Sequence, residues 1–477
     1  MGKHILMNAF DMNCAMHNSH GLWKHPDNQR HRYKDLEYWV DIAQLLERGK
    51  FDALFLADVA GIYDVYRQSG APAIRDGVQV PLNDPALIVP AMALVTKHLS
   101  FAVTVTTTYE HPYAHARRFS TLDHLTQGRL AWNIVTSYLP NAAKNYGLDE
   151  MIKHDERYEL ADEFLQVVYK LWEGSWDEDA VVRDVDRNIY TDPNKVRKIH
   201  HAGTYFKVPG PHLSEPSPQR TPVIYQAGSS ERGRAFAAKH AECVFVGGQT
   251  PEALRFYVED MRNQAEKLGR DPQSIKMFTG LNVIVAETKE EAQLKFEQYA
   301  SLWSREAALA QFAGSSGYDL SAYDPDSYLE YKNTNHGQTR AAQFTTFAPK
   351  KLTVKEVMDR IGTLGGQGWV FAGTPQEVAD HMQEKMELTG IDGFNLAHLI
   401  TPGSLREFID LVVPELQRRG IYKLDYEEGT LREKLFGQGN KRLPDHHPAA
   451  QYRNKDAYPT PIFNADQFTG DIHPLST

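Results

Sequence analysis

Short apolar runs alternate with amphipathic helical patterns along almost the whole chain, and this alternation restricts the fold more than any other feature. The runs are Ile5–Met12, Asp52–Ala57, Ala102–Thr108, Leu130–Thr136, Pro222–Ala227, Cys243–Gly247, Met277–Ala286 and Gly393–Ile400. Each has the length and the apolar content of a strand buried on both faces. Between the first two, Leu36, Trp39, Val40, Ala43 and Leu46 recur at helical spacing, with Gly49 as the stop signal. Asp84-Pro85 pairs a capping side chain with proline at a first helical position, and Thr288–Glu291, Thr374–Glu377 and Ser404–Glu407 have capping-box spacing. Parallel neighbours need a crossover helix, so this order predicts an α/β chain with a parallel sheet, and eight units predict a closed TIM-type (β/α)8 barrel.

Two stretches, at about 173–220 and 301–373, are too long for plain connections and are predicted to be insertions. In such a barrel the loops after the strand C-termini build the site, so the second insertion is expected to roof it. The barrel with its insertions is assigned to residues 1–443, and the tail 444–477, which has no core pattern, is expected to wrap the surface or a neighbouring subunit.

Charge and cysteine usage narrow the function. With 52 basic against 62 acidic residues the formal charge is -10, which opposes nonspecific attraction to phosphate backbones and anionic lipid, so nucleic acid is not an expected partner. Cys14 and Cys243 are the only cysteines, too few for a disulfide framework or a thiolate metal site. No run reaches the roughly 18 apolar residues needed to span a bilayer, and the start carries no leader-like apolar stretch. A cytoplasmic protein without membrane insertion is expected.

Polar residues gather at the C-terminal ends of the predicted strands. Asp58 closes the second, Thr106 and Thr108 the third, Asn133 and Thr136 lie in or just after the fourth, and Ser229 and Ser230 follow the fifth. Any one of them could be a cap or turn residue; the set, on one face, points to a site. At Gly228–Arg234 a strand runs straight into a helix through small residues and two hydroxyls, where free N–H groups and the helix dipole would seat a phosphate. Without a Walker A or a dinucleotide fingerprint, a mononucleotide fits best. His17, His20 and His25 sit on an irregular loop with no matching distal ligand pair, so no metal is expected. Taken alone, Cys14 reads as a small buried residue and His154–Tyr158 as a solvated helix start.

In order along the chain, Ala57-Asp58, Thr106, Trp132–Thr136, His154–Tyr158 and Gln226–Ser230 resemble the bacterial-luciferase-like two-component FMN-dependent monooxygenases, over nearly the whole length. The likeness is to the group acting on nitrilotriacetate, dibenzothiophene sulfone and long-chain alkanes. Asn8–Cys14, His20–Pro26, Gly61–Arg67 and Gly429–Phe436 are similar to the alkane-oxidising branch. The resemblance implies that Asp58, Thr106, His154, Tyr158 and Ser230 contact FMN with Ser229 and Asn133 close by, which replaces the solvated reading of 154–158. It also implies that Cys14, His17, Tyr63 and Gln79 line the substrate side. Tyr138 and Gln311 depart from that branch, which carries histidine at both positions.

The implied reaction uses FMNH2, supplied by a separate NAD(P)H:flavin reductase, and O2 as co-substrate to place one oxygen atom in an apolar substrate. Terminal hydroxylation of a long-chain alkane is the favoured outcome; oxygenation of a sulfone, thioether or amine with C–S or C–N cleavage is the alternative. His17, Tyr63 or Tyr138 could hydrogen-bond the oxygen or supply protons. Deazaflavin hydride transfer and flavin binding without turnover are more distant readings, and sugar cleavage would need a second strand-end carboxylate beside Asp58. A homodimer is expected.

Overall fold

The computed structural model describes residues 4–454 apart from 229, 249, 333, 349 and 367–369. Its nine-stranded parallel sheet comprises β1 (Leu6–Met12), β2 (Ala53–Ala57), β3 (Ser100–Thr106), β4 (Leu130–Val135), β5 (Val223–Gln226), β6 (Cys243–Val246), β7 (Lys276–Val285), β8 (Val370–Gly373) and β9 (Gly393–Ala397). β1 to β7 pair in sequence, β7 pairs with β9, and β9 returns to β1, which closes an eight-stranded barrel. All eight predicted strands are in the ring. The ninth, β8, was not expected. β7 runs ten residues; its last four, Asn282–Val285, pair with Val370–Gly373, and Val283–Val285 extend beyond the ring pairing that ends at Asn282.

Alternation along each strand sorts side chains into two layers. Phe10 and Phe55 point inward with Tyr225 and Phe278, while Ala9, Leu54 and Leu56 point outward. The outer layer is covered by helices such as α1 (Leu36–Arg48), which buries Trp39, Ile42, Ala43 and Leu46. Further helices bear on the site: α2 (His154–Tyr169), α3 (Glu231–His240), α4 (Arg305–Ser316) and α5 (Leu431–Phe436). Leu431 and Leu435 of α5 plug the N-terminal end of the barrel against the inner core.

Several boundaries move. β3 stops at Thr106, and Thr108 lies in the turn, donating to the Thr136 carbonyl at 2.7 Å. β9 stops at Ala397, three residues early. The boxes at Thr288 and Thr374 form, but Ser404 does not cap: its helix starts at Gly403, its hydroxyl accepts from Ile400 N–H at 3.1 Å, and Glu407 pairs with Lys295 instead. The helix begins after Pro402 as its N-cap, two residues sooner than the spacing suggested.

The first insertion forms two small antiparallel pairs outside the barrel, Val181–Asp184 with Ile189–Thr191 and His201–Ala202 with Lys207–Val208. The second carries α4, Gln338–Ala342 and Val354–Ile361, and has its own core of Leu309, Phe312, Phe344, Leu352 and Val357, closed by Tyr66 from the barrel. The described part of the tail lies on the helix layer, with Ala449 buried and His447 Nε2 2.9 Å from the His240 carbonyl. No described helix is long and apolar enough to cross a membrane.

Candidate active site

A cavity of about 360 Å³ opens at the C-terminal mouth of the barrel, within the size range of small-molecule sites. Its floor is Phe10, Phe55 and Phe245, whose rings meet edge-on at 5.2 to 6.4 Å and form the top of the inner core. Its sides are the ends of β2, β4 and β5 with α2 and α3, and its roof comes from the second insertion through Gln311, Ser315, His336, Arg340 and Gln343.

One end is shaped for an anion. Ser230 is the N-cap of α3, its Oγ accepting from Gly233 N–H at 3.1 Å and lying 3.4 Å from His154 Nε2. His154 opens α2, and its Nδ1 is tied to Asp155 Oδ1 at 2.6 Å, so Nε2 is the atom left to face Ser230. Tyr158, one turn further along α2, sits under the same turn: a Cβ at Gly228 or Gly233 would lie 3.0 or 2.8 Å from its hydroxyl oxygen. Glycine at both positions leaves room for the Tyr158 phenol, so that it, the Ser230 hydroxyl and the His154 imidazole gather at the N-terminus of α3. Ser229 lies outside the described residues.

Beside this seat, two buried acceptors have no donor. Asn133, 3% exposed, donates to Thr104 Oγ1 at 2.8 Å and leaves its Oδ1 without a partner; Gln226, also 3% exposed, leaves Oε1 without one. Buried polar atoms are normally satisfied, so the pair marks where a ligand's N–H groups belong. Burial, followed by the charge of Asp84, raises the Asp58 carboxyl to about 7. Thr106 is one step back: its hydroxyl accepts from Thr108 N–H and Ser137 Oγ, and it borders a small adjoining cavity shared with Asp58 and Tyr138.

The opposite wall is a chain of neutral hydrogen-bonding groups. Tyr63 donates to Gln79 Oε1 at 2.7 Å and lies 2.8 Å from the Tyr138 hydroxyl, so Tyr138 donates to Tyr63. Burial raises both phenols. Gln79 adopts a left-handed φ of 52°, held by its N–H on the Met16 carbonyl; such strain in a non-glycine residue is typical of functional positions. His17 stands edge-on to Phe10 at 4.5 Å, and burial lowers it to about 3, so its ring is neutral. Gln311 is beside it on α4.

The sequence-derived residues do not all meet. Cys14 is fully buried, bridges to Leu82 and does not line the cavity; burial pushes its thiol up to about 12. The three histidines of the loop diverge as well, His25 turning away to Gln298. Conversely, His336, Arg340 and Gln343 line the roof without having been singled out, because the 301–373 segment has no strand-end register to mark them. Arg157 is on the wall too, its guanidinium donating to the carbonyls of Ile152 and Asn335 and so tying α2 to the roof. Its position inside the 154–158 motif was the available signal.

Comparison with known proteins agrees with this geometry. The family model for luciferase-like monooxygenases matches residues 16–393. Long-chain alkane monooxygenase of Geobacillus thermodenitrificans (strain NG80-2) is 59% identical over 455 residues, 95% of this chain and 99% of that protein. A crystal structure of long-chain alkane monooxygenase, also 59% identical, superposes with a TM-score of 0.89 over 95% of this chain and 100% of the other. Dimethyl-sulfide monooxygenase of Hyphomicrobium sulfonivorans is 51% identical, covering 96% and 95%. A crystal structure of riboflavin lyase with modified FMN and riboflavin is 39% identical with a TM-score of 0.88, covering 94% and 100%. The chain therefore belongs to the luciferase-like monooxygenase family, flavin-dependent enzymes, here on a closed (β/α)8 barrel.

Proposed function

We propose that this monooxygenase hydroxylates the terminal carbon of long-chain alkanes to primary alcohols, using FMNH2 delivered by a separate NAD(P)H:flavin reductase. The observation that carries this reading is the 59% identity, over 95% of the chain, to a long-chain alkane monooxygenase. Reduced FMN, when bound, activates O2 so that one atom enters the substrate and the other leaves as water. Ser230, His154 and Tyr158 would hold its phosphate, and Asp58, Asn133 and Gln226 would bond its polar atoms. Phe10, Phe55 and Phe245 give the substrate an apolar floor. The roof keeps water from the reacting oxygen, which suppresses loss as hydrogen peroxide. His17, Tyr63 and Tyr138, all neutral, present hydrogen-bond donors on the substrate side.

The enzyme is further proposed to act in the cytoplasm as a homodimer. Leu87 and Leu94, 75% and 86% exposed, are apolar side chains that a second copy would cover. The test of function is an assay with hexadecane, FMN, NADH and a flavin reductase. Primary alcohol should appear in proportion to flavin oxidised; flavin oxidation that yields peroxide and no alcohol overturns the reading. A second reading, thioether oxygenation with C–S cleavage, is favoured by the polar Tyr138, Gln311 and Arg340 around the cavity and by the 51% identity to dimethyl-sulfide monooxygenase. Aldehyde and thiol from dimethyl sulfide in the same assay, with no alcohol from hexadecane, would establish it.

A further inference from the structure

Four side chains form one hydrogen-bonded line from the cavity to a second, smaller pocket behind it. Asn18 Nδ2 lies 3.2 Å from His17 Nε2; Gln311 Nε2 donates to Asn18 Oδ1 at 3.1 Å; and Gln311 Oε1 lies 2.9 Å from His20 Nε2. The line joins the loop after β1 to α4 in the roof, 291 residues away in sequence.

Each primary amide has one donating and one accepting end, so the line has a direction. With Gln311 donating to Asn18, as placed, His20 Nε2–H donates to Gln311 and Asn18 donates to His17. His17 Nε2 is then an acceptor, and the ring's single proton must sit on Nδ1. Reversing every bond would put the His17 proton on Nε2 and the His20 proton on Nδ1.

The far end decides between the two. His20 is 1% exposed and its Nδ1 has no hydrogen-bond partner. In the first direction that atom is an unsatisfied acceptor; in the reversed one it would be an unsatisfied N–H, the rarer and costlier of the two in a protein interior. Burial lowers His20 to about 4, with Arg340 adding to the effect, so a doubly protonated ring does not remove the choice.

We propose that His20, Gln311 and Asn18 are positioning residues that fix His17 as a neutral Nδ1–H donor on the substrate side of the cavity. The importance of that donor for turnover rests on the proposed function; the tautomer does not. His17 Nδ1 makes no hydrogen bond to a described residue, and His17 lines the cavity, so its N–H is available to a bound oxygen or substrate atom. The arrangement also gives Gln311 a role that needs both ends of an amide, with two contacts made from one roof side chain.

The test reads the His17 tautomer by long-range 1H–15N NMR on 15N-histidine-labelled full-length protein, with the signal assigned by its loss in His17→Gln. The ligand-free enzyme should show the Nδ1–H form. Asn18→Asp keeps the shape but can only accept, so His17 should switch to Nε2–H. Gln311→Glu should produce the same switch without touching His17, because Asn18 must then turn its amide toward the new carboxylate. A merely structural role would move neither signal. If the proposed function holds, both variants should lower product formed per flavin oxidised about tenfold or more, as expected for a displaced proton donor. An Nε2–H His17 in the parent protein, or an unchanged tautomer in folded Asn18→Asp and Gln311→Glu, would overturn the proposal.

Discussion

The two ends of the barrel treat buried polar groups in opposite ways. At the N-terminal end, Arg432 on α5 is 1% exposed and all three of its guanidinium nitrogens find acceptors. Nε and Nη2 bond the Glu242 carboxylate at 2.7 and 3.0 Å, and Nη2 and Nη1 also reach the carbonyls of Thr221 and Lys441. At the C-terminal end, Asn133 Oδ1, Gln226 Oε1 and His20 Nδ1 are buried without partners, and Gln79 is held in a strained backbone conformation. Around Arg432 the hydrogen bonds are completed within the protein and serve stability. Around the cavity, acceptors are held in reserve, which is the arrangement a binding site needs.

The comparison can be broken by showing that the two ends respond alike. The largest effect is expected at the closed end. Arg432→Met leaves Glu242 as a buried charge without its partner and should cost about 3–5 kcal/mol of stability in urea denaturation, while the folded fraction binds FMN as before. A loss of flavin affinity in the folded protein would show the ends to be coupled.

Gly228→Ala should do the reverse. The new Cβ would press on Gln226 Nε2 at 2.5 Å and on the Tyr158 hydroxyl, both tips of side chains that can move, so the fold tolerates it and the phosphate seat does not. FMN affinity, read by fluorescence titration, should fall about 100-fold, or ~2.7 kcal/mol, with little change in melting temperature.

The last effect concerns Asp58 and sharpens the comparison by pH. Its carboxyl titrates higher in the folded state, at about 7, than in the unfolded chain, near 3.8, so the folded protein holds a proton that the unfolded one releases. Stability from this group is complete below 3.8 and is lost as pH rises through about 7. Asp58→Asn should flatten that decline, raising the melting temperature of ligand-free protein at pH 8 relative to the parent. Equal pH slopes for the two proteins would show that Asp58 is not strained toward its neutral form.

Much of the barrel was legible in the chain because its signals are local. Strand runs, helix stops and the boxes at Thr288 and Thr374 depend on residues a few positions apart, and all eight ring strands followed from them. The turn of the anion seat was legible for the same reason, since Gly228, Ser230 and Gly233 lie within a few residues; His154 and Tyr158 read locally as a solvated helix start, and only the family resemblance pointed to them. The Ser404 spacing failed because a cap depends on where the preceding chain turns, and Thr401-Pro402 turned it early.

The sequence by itself determined the alternating strands and helices, the face on which polar residues would collect, and the small-residue turn that Ser230 caps, because side-chain period and capping are fixed by near neighbours. Only the tertiary structure decided that β8 joins the sheet beyond the ring, that Cys14 stays out of the cavity, and that Arg340 and His336 enter it. It alone also joined His17 to His20 through Gln311. These are meetings across long stretches of chain, set by which surfaces pack together once the barrel closes, and no short-range pattern encodes them.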